Sequence, residues 1–446
     1  MPDPRPISFH ELSQLSAAER HALCQRTEGD LSVFLERVRP IIDAVAAEGD
    51  AALARFAEAF DNAPVAPDAI AATEADFERA YAALDPEMIA VLDYASDNVR
   101  RFHEAQMPED MWLKEMQPGL FAGETVRPID SVACYVPRGK GSFPSVVLMT
   151  AIPAVVAGVA NPIIITPPGP DGGIDDATLV AAHKAGVTKV YKAGGAQGVA
   201  AVAYGTETVP RCLKIVGPGS PYVVAAKRLL ADRIDPGLPA GPSESIVLAD
   251  ETANGRVAAL DLLIESEHGP DSSAFLVTNS RAVAEAVRDA IPGYWGEMGD
   301  QRVDFSSTVL CGPRGGIVLA RDMDDAIAFV NEYAPEHLEI QSKEPFAYLG
   351  KIDNAGEIIM GEHAPLCIAN FLLGPNAVLP TNMAARVNSP LSVFDYMKRM
   401  SVGYVTKAGY DSVADKVNRF ATYEGFDAHA NAVSPLRDRA FAGGDG

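Results

Sequence analysis

Residues 264–273 read IESEHGPDSS, which sets the carboxylate of Glu265 three positions before the imidazole of His268. On a helix that spacing projects both side chains from one face. The preceding AALDLLIESEH has the composition and apolar spacing of a helix. Such a pair is half of a metal site, or else the solvated end of a surface helix, which is the commoner arrangement. A second pair, Glu336-His337 in NEYAPEHLEI, follows Pro335 at the start of a β-branched run. It joins a base to a partner imidazole, although the dipeptide by itself is common. His363 in GEHAPLCIAN and His429 in EGFDAHANAV are further imidazoles to place. The five cysteines (Cys24, Cys134, Cys212, Cys311, Cys367) lie far apart with no CxxC, so any metal must be held by histidine, carboxylate and amide. A catalytic zinc site without cysteine needs about two histidines plus oxygen ligands and one open position. His268 and His429 are the candidates.

Two turns between a β-branched run and an Ala-rich helix are glycine-rich: Gly194-Gly195-Ala196-Gln197-Gly198 and Gly217-Pro218-Gly219-Ser220. Glycine lets the backbone approach a ligand, and the helix N-terminus that follows favours phosphate. Neither turn has the G-x-G-x-x-G spacing with a later acidic residue, so the standard dinucleotide fingerprint is absent. Tight turns in an α/β sheet account for the glycines equally well. A third turn, YVPRGKGSFPS, lacks the full Walker pattern.

The elements that must carry these groups alternate. About the first hundred residues are helical in pattern. From residue 131 onward, short runs such as PIIIT, VTKVY and CLKIV alternate with Ala-rich helices. A second series follows: SIVLAD, the helix bearing Glu265, SAFLVT, a helix over 281–291, then STVLCG and GGIVLA as strands. This is the βαβ rhythm of parallel sheets. The fold class is α/β, with two parallel-sheet domains, one near 135–243 and one around it. The last fifty residues return to helix and polar loop. Residues 145–166 carry no charge, but Pro153 and Pro162 interrupt them, so they read as a buried helix followed by a strand rather than a membrane span. The 446 residues exceed one ordinary core. The formal charge of −23 argues against nucleic-acid or anionic-membrane partners. With no signal peptide in MPDPRPISFHEL, a cytoplasmic protein is expected.

The motifs YVPRG, GGAQGVAAVAYG, KIVGPGSPYV, LPAGPSES, SEHGPDS, YAPEHLE, LGPNAVLPT and AHANAV together resemble the histidinol dehydrogenase family, in family order and over nearly the whole chain. The resemblance implies a homodimer with shared active sites and two incomplete Rossmann-like domains. A helical N-terminal segment (1–29) would precede domain 1 (30–134 with 244–390) and the NAD-associated domain 2 (135–243). A C-terminal helical arm (391–446) would be exchanged between subunits. It also implies zinc- and NAD-dependent oxidation of a small amino alcohol through the aldehyde to the carboxylate, with two hydride transfers. Glu336 and His337 match the catalytic pair, and Tyr135, Gln197 and Ser220 match NAD contacts. Ser243, His337 and Glu424 match substrate contacts. Glu265, His268, Asn370 and His429 match the zinc ligands, so the opening stretch is expected to bind metal.

Several positions depart from the family pattern. Glu265 stands where the family has glutamine and Asn370 where it has aspartate, so the set keeps its formal charge and its carbonyl-type oxygens. Leu366 replaces a glutamate, Ala377 a histidine and Ser220 an asparagine. Losing a carboxylate and an imidazole makes the pocket more apolar than a histidinol site needs. The alternatives are a paralogue that oxidises another alcohol or a diol, one that stops at aldehyde or ketone, and a non-catalytic binding relative.

Overall fold

The computed structural model describes residues 6–26, 31–138 and 141–442. Residues 139–140 of the YVPRGKGSFPS turn lie outside them. Strand β1 (Phe9–Glu11) comes first, then β2 (Met111–Gln117) and β3 (Leu120–Pro128). Next come β4 (Ser131–Tyr135), β5 (Asn161–Thr166), β6 (Val190–Lys192) and β7 (Lys214–Val216), separated by helices. The second helix-linked series is β8 (Glu244–Ala249), β9 (Ser273–Thr278), β10 (Gly315–Leu319), β11 (His337–Gln341) and β12 (Glu357–Met360). Strand β13 (Met397–Val405) precedes three final helices.

Two of the three sheets are wholly parallel. One runs β6-β5-β4-β7, the other β1-β10-β9-β8-β11-β12. The chain winds outward from β4 in the one and from β8 in the other, then returns to the other side, so the winding reverses between β4 and β7 and between β8 and β11. That is the Rossmann arrangement, with ligands expected at the reversal. Strands such as β8 and β9 are buried along their whole length, which is why they read as apolar runs without alternation. Residues 145–166 fall into the helix Pro144–Val156 and β5, as their prolines suggest. Among the described residues, no helix is long and apolar enough to cross a membrane.

The chain forms two compact units, Met1–Met107 with Ile129–Tyr396, and Pro108–Pro128 with Met397–Gly446. The first holds both parallel sheets. The second holds the antiparallel sheet β13-β3-β2 and the C-terminal helices.

Four expectations need correction. The N-terminal segment is not only helical, because β1 pairs in parallel with β10 and extends the six-stranded sheet. Helices Ser32–Glu48 and Asp50–Asp61 place Val38, Ile42, Val45 and Leu53 in one core with Ile163, Val199 and Ile215, so this part packs on the four-stranded sheet instead of joining 244–390. STVLCG is no strand: it ends the helix Asp300–Leu310, whose Val309 and Leu310 cover β9 and β10. The C-terminal arm is not only helical: after a short 3-10 helix (Val393–Tyr396) comes β13, which pairs with β3 over nine registered positions.

The loop after residue 370 is tied down by Asn376, which is 2% exposed. Its Nδ2 donates to the Met149 carbonyl (2.6 Å) and meets His103 Nε2 (3.3 Å), and its Oδ1 accepts from the Val378 N–H (2.9 Å). Asn376→Ala strands these buried groups and is expected to cost about 2–4 kcal/mol of unfolding free energy in urea.

Candidate active site

Three sequence-identified residues meet at the carboxyl edge of the four-stranded sheet. Tyr135 ends β4, Gln197 lies in the first turn of the helix Gly195–Tyr204 after β6, and Ser220 caps the helix Pro221–Leu229 after β7. The Gly195 N–H donates to the Tyr135 hydroxyl (3.1 Å). Burial pushes that phenol up to about 12, so it stays neutral and able to donate. Gly217 has φ +110°, and a Cβ there would sit 2.2 Å from the Tyr135 carbonyl oxygen, so the turn must be glycine to lie this close to β4. Two helix N-termini and a bare backbone turn therefore flank the β4/β7 reversal. The Ser220 side chain makes no capping bond. These are the features a dinucleotide diphosphate needs.

The charged residues gather at the other kind of edge, the amino ends of β8, β11 and β12. The helix Met323–Tyr333 stops at Ala334, a non-glycine in left-handed conformation (φ 53°), and Pro335 bars its continuation. Glu336 is thereby delivered to the start of β11. Its Oε2 accepts the Glu244 backbone N–H (2.9 Å), and its Oε1 lies 3.8 Å from His337 Nε2. On the other side of the ring, His337 Nδ1 meets Glu357 Oε1 at 2.6 Å, in register across β11 and β12.

Above this row runs the helix Gly255–Ser266, which buries Ala258, Ala259 and Leu262 in the core and turns Asp261 and Glu265 toward the polar side chains of β11. Glu265 is 1% exposed. Its Oε1 accepts from Asn370 Nδ2 (2.9 Å), Ser243 bonds to the same carboxylate, and His268 Nδ1 lies 3.2 Å from Oε2. Burial drives this carboxyl upward, but His268, His337 and the Asn370 and Ser243 bonds outweigh it and hold it below its usual value. Asn370 sits in the π-helical turn Ala369–Leu373, an irregularity common at functional sites. Its Oδ1 is buried with no partner. His268 Nδ1 also meets the Ile264 carbonyl (3.1 Å); a proton donated there leaves Nε2 with the lone pair.

The comparisons with known proteins agree with this geometry. The histidinol dehydrogenase family model matches residues 24–436. The chain belongs to the histidinol dehydrogenase family. It is 62% identical over 434 residues to a histidinol dehydrogenase homolog of Colwellia psychrerythraea, covering 97% of each chain. It is 45% identical over 423 residues to the histidinol dehydrogenase of Synechocystis, covering 95% of this chain and 97% of the relative. The crystal structure of histidinol dehydrogenase from Elizabethkingia anophelis matches with a TM-score of 0.92 at 31% identity, covering 99% of this chain and all of the other. The protein is thus an NAD-dependent oxidoreductase acting on CH–OH, of the histidinol dehydrogenase type.

Within the first unit the fold brings together Glu265, His268, Asn370, Ser243, Glu336 and His337. His429 and Glu424 belong to the second unit, both exposed, with the His429 ring 5.1 Å from that of Phe426. Among the described residues no three His, Cys, Asp or Glu side chains group as metal ligands. His363 is exposed. Sequence reasoning missed Glu357 and Glu244, since only strand register brings them to His337 and Glu336. It also missed Asp261, Glu339 and Gln341: Gln341 Nε2 donates to Asp261 Oδ2 (2.6 Å) and Glu339 Oε1 (2.7 Å), one layer below Glu265.

Burial lowers the His337 imidazole, but Glu265, Glu336 and Glu357 outweigh it and push it up to about 10 from 6.5. Between those values the folded, metal-free chain holds a proton that the unfolded chain releases, so stability must fall as pH rises through this window. Denaturation of the metal-free protein at pH 7 and pH 10 should show this loss, and His337→Gln should lose measurably less. Equal losses would remove the assignment.

Proposed function

We propose that the chain is a zinc- and NAD-dependent alcohol dehydrogenase that takes a small alcohol through the aldehyde to the carboxylate, with a substrate other than histidinol. The observation that carries the metal is the bare Oδ1 of Asn370 beside the ionised Glu265 and the Nε2 of His268. Two oxygens and an imidazole fit zinc, with His429 as the fourth ligand. In this reading a homodimer shares its sites, and His429 with the substrate contact Glu424 comes from the second copy. The glycine turn at Gly217 and the two helix N-termini fit NAD, held by Tyr135, Gln197 and Ser220.

Bound zinc supplies Lewis acidity toward the alcohol oxygen, and NAD accepts the hydride. His337, fixed through Nδ1 by Glu357, would present Nε2 to take the alcohol proton once a bound cation offsets the carboxylate field that keeps the ring protonated in the metal-free chain. Glu336, held through Oε2 by the Glu244 N–H, keeps Oε1 for orienting the water that adds to the aldehyde. The hydrated aldehyde then yields the second hydride and the carboxylate. The Ser243 hydroxyl, bonded to Glu265, stands where a substrate hydroxyl can be oriented.

The altered substrate is supported by the apolar wall. Leu366, fully buried, packs with Ile359, Ala369, Ile264 and Ala364 on the segment leading to Asn370, so position 366 offers no carboxylate to pair an ammonium or imidazole. The names agree with this: the relative at 62% identity is called a homolog, the one at 45% a histidinol dehydrogenase outright.

The deciding measurement is the NADH yield from limiting L-histidinol with zinc-loaded protein at mildly alkaline pH. No NADH is expected from histidinol, and two per molecule from the correct small alcohol or diol. Two from histidinol would overturn the altered substrate, and one per molecule the oxidation to carboxylate. Glu336→Gln should lower kcat by about 10²–10⁴-fold on the alcohol that turns over. The ligand pair has its own test. Asn370→Asp sets two buried carboxylates against each other and should lower the metal-free melting temperature. Adding Glu265→Gln should restore the stability and leave zinc content as in the parent protein.

A further inference from the structure

Lys227, on the helix Pro221–Leu229, is 8% exposed. Its Nζ donates to the Gly217 carbonyl (2.9 Å), its one hydrogen bond among the described residues. An ammonium has three N–H donors, and a buried one lacking a counter-ion is costly. The nearest acid acting on it is Asp235, and that carboxylate is engaged elsewhere: Oδ2 lies 3.2 Å from Lys214 Nζ, and Oδ1 accepts the Gly237 N–H (2.9 Å). Burial accordingly drags the Lys227 ammonium down to about 8. A methionine of similar length would fill the space at less cost.

The placement explains what is gained. Gly217 opens the turn to Ser220, presses on the Tyr135 backbone, and stands at the β4/β7 reversal with a helix N-terminus behind it. We propose that Lys227 is the positioning residue of the cofactor site: it holds the Gly217–Ser220 turn from beneath and supplies the buried positive charge that the NAD diphosphate neutralises. This rests on the reading that the Tyr135, Gln197 and Ser220 edge takes the dinucleotide. Charge, helix N-terminus and backbone donors then add at one anion position, and the low-dielectric surroundings make the charge act strongly there.

Binding needs no alcohol substrate, so the test is titration with NADH by fluorescence and with ADP-ribose and adenosine by calorimetry. Lys227→Gln should weaken NADH and ADP-ribose by at least about tenfold, leave adenosine, which has no diphosphate, unchanged, and leave the ligand-free melting temperature equal or higher. Lys227→Arg should recover part of the loss. Equal weakening of ADP-ribose and adenosine, or a lower melting temperature with unchanged affinity, would make Lys227 a structural prop and overturn the proposal. Gln197→Ala separates the two readings. If it weakens NADH while Lys227→Gln does not, only the Lys227 assignment falls; if neither does, the cofactor edge itself is misplaced and both fall. Should Lys227→Gln fail to fold, Asp235→Asn decides. Removing that carboxylate while keeping its cap on Gly237 should tighten NADH; unchanged or weaker binding overturns the proposal.

Discussion

Three carboxylates, Glu265, Glu336 and Glu357, converge on one buried imidazole, His337. Water cannot solvate that much negative charge at this depth, and one protonated imidazole balances only part of it. The neighbourhood accommodates the rest in two visible ways. Backbone and amide donors are spent on the carboxylates, from Glu244 to Glu336 and from Asn370 to Glu265. Protons are also retained: burial, together with Glu265 and Glu244, pushes Glu336 up to about 8 against the opposing charge of His337. A divalent cation between Glu265 and Asn370 would relieve the same field. The pocket is thus incomplete by itself in charge, and its surroundings follow from that.

The two parallel sheets share a winding and use opposite edges. In the four-stranded sheet the carboxyl edge at the reversal is open, glycine-lined and backed by a buried cation. In the six-stranded sheet the corresponding edge is closed from within. Asp250, at the end of β8, accepts from Ser342 Oγ (2.6 Å), Tyr348 Oη (3.0 Å), and the Thr252 N–H and hydroxyl. No glycine immediately follows β8, and each Asp250 carboxylate oxygen accepts two hydrogen bonds. The chemistry therefore sits on the amino edge of that sheet, where strand starts and the preceding turns deliver side chains instead of backbone N–H groups. The same winding thus presents an open, glycine-lined carboxyl edge in one sheet and a row of acids at the amino edge of the other.

What the sequence made legible follows from range. The Glu265–His268 spacing, the glycine turns at Gly195 and Gly217, and the Pro335-Glu336-His337 junction are local; the fold keeps each grouping together, although His268 lies just past the end of the helix Gly255–Ser266. The misses are long-range. Glu357 reaches His337 only through parallel register, a relation between strands that no periodicity encodes. STVLCG has strand composition, yet helix packing against β9 and β10 outranks that preference. Strand β1 is three residues long and exists because β10 offers an edge. Strand β13 alternates weakly and is mostly exposed, so only its pairing with β3 identifies it.

The exchange of Glu265 and Asn370 relative to the family pattern has a geometric reason to occur as a pair. The two side chains are in direct contact, with an amide N–H pointing at a carboxylate oxygen. One amide and one acid, in either order, form one such bond; here it leaves the Asn370 Oδ1 without a partner, while the second Glu265 oxygen faces His268 Nδ1. Two acids would repel in a buried contact, and two amides would remove the charge that a borderline cation needs. Each single replacement therefore passes through a poorer pair, while the double replacement returns to the same donor count and the same net charge. What changes is position: the full negative charge now lies on the helix beside His268, and the neutral amide on the turn that carries Leu366. The side of the pocket built from that turn has become apolar and uncharged, and discrimination between alcohols is expected to reside there.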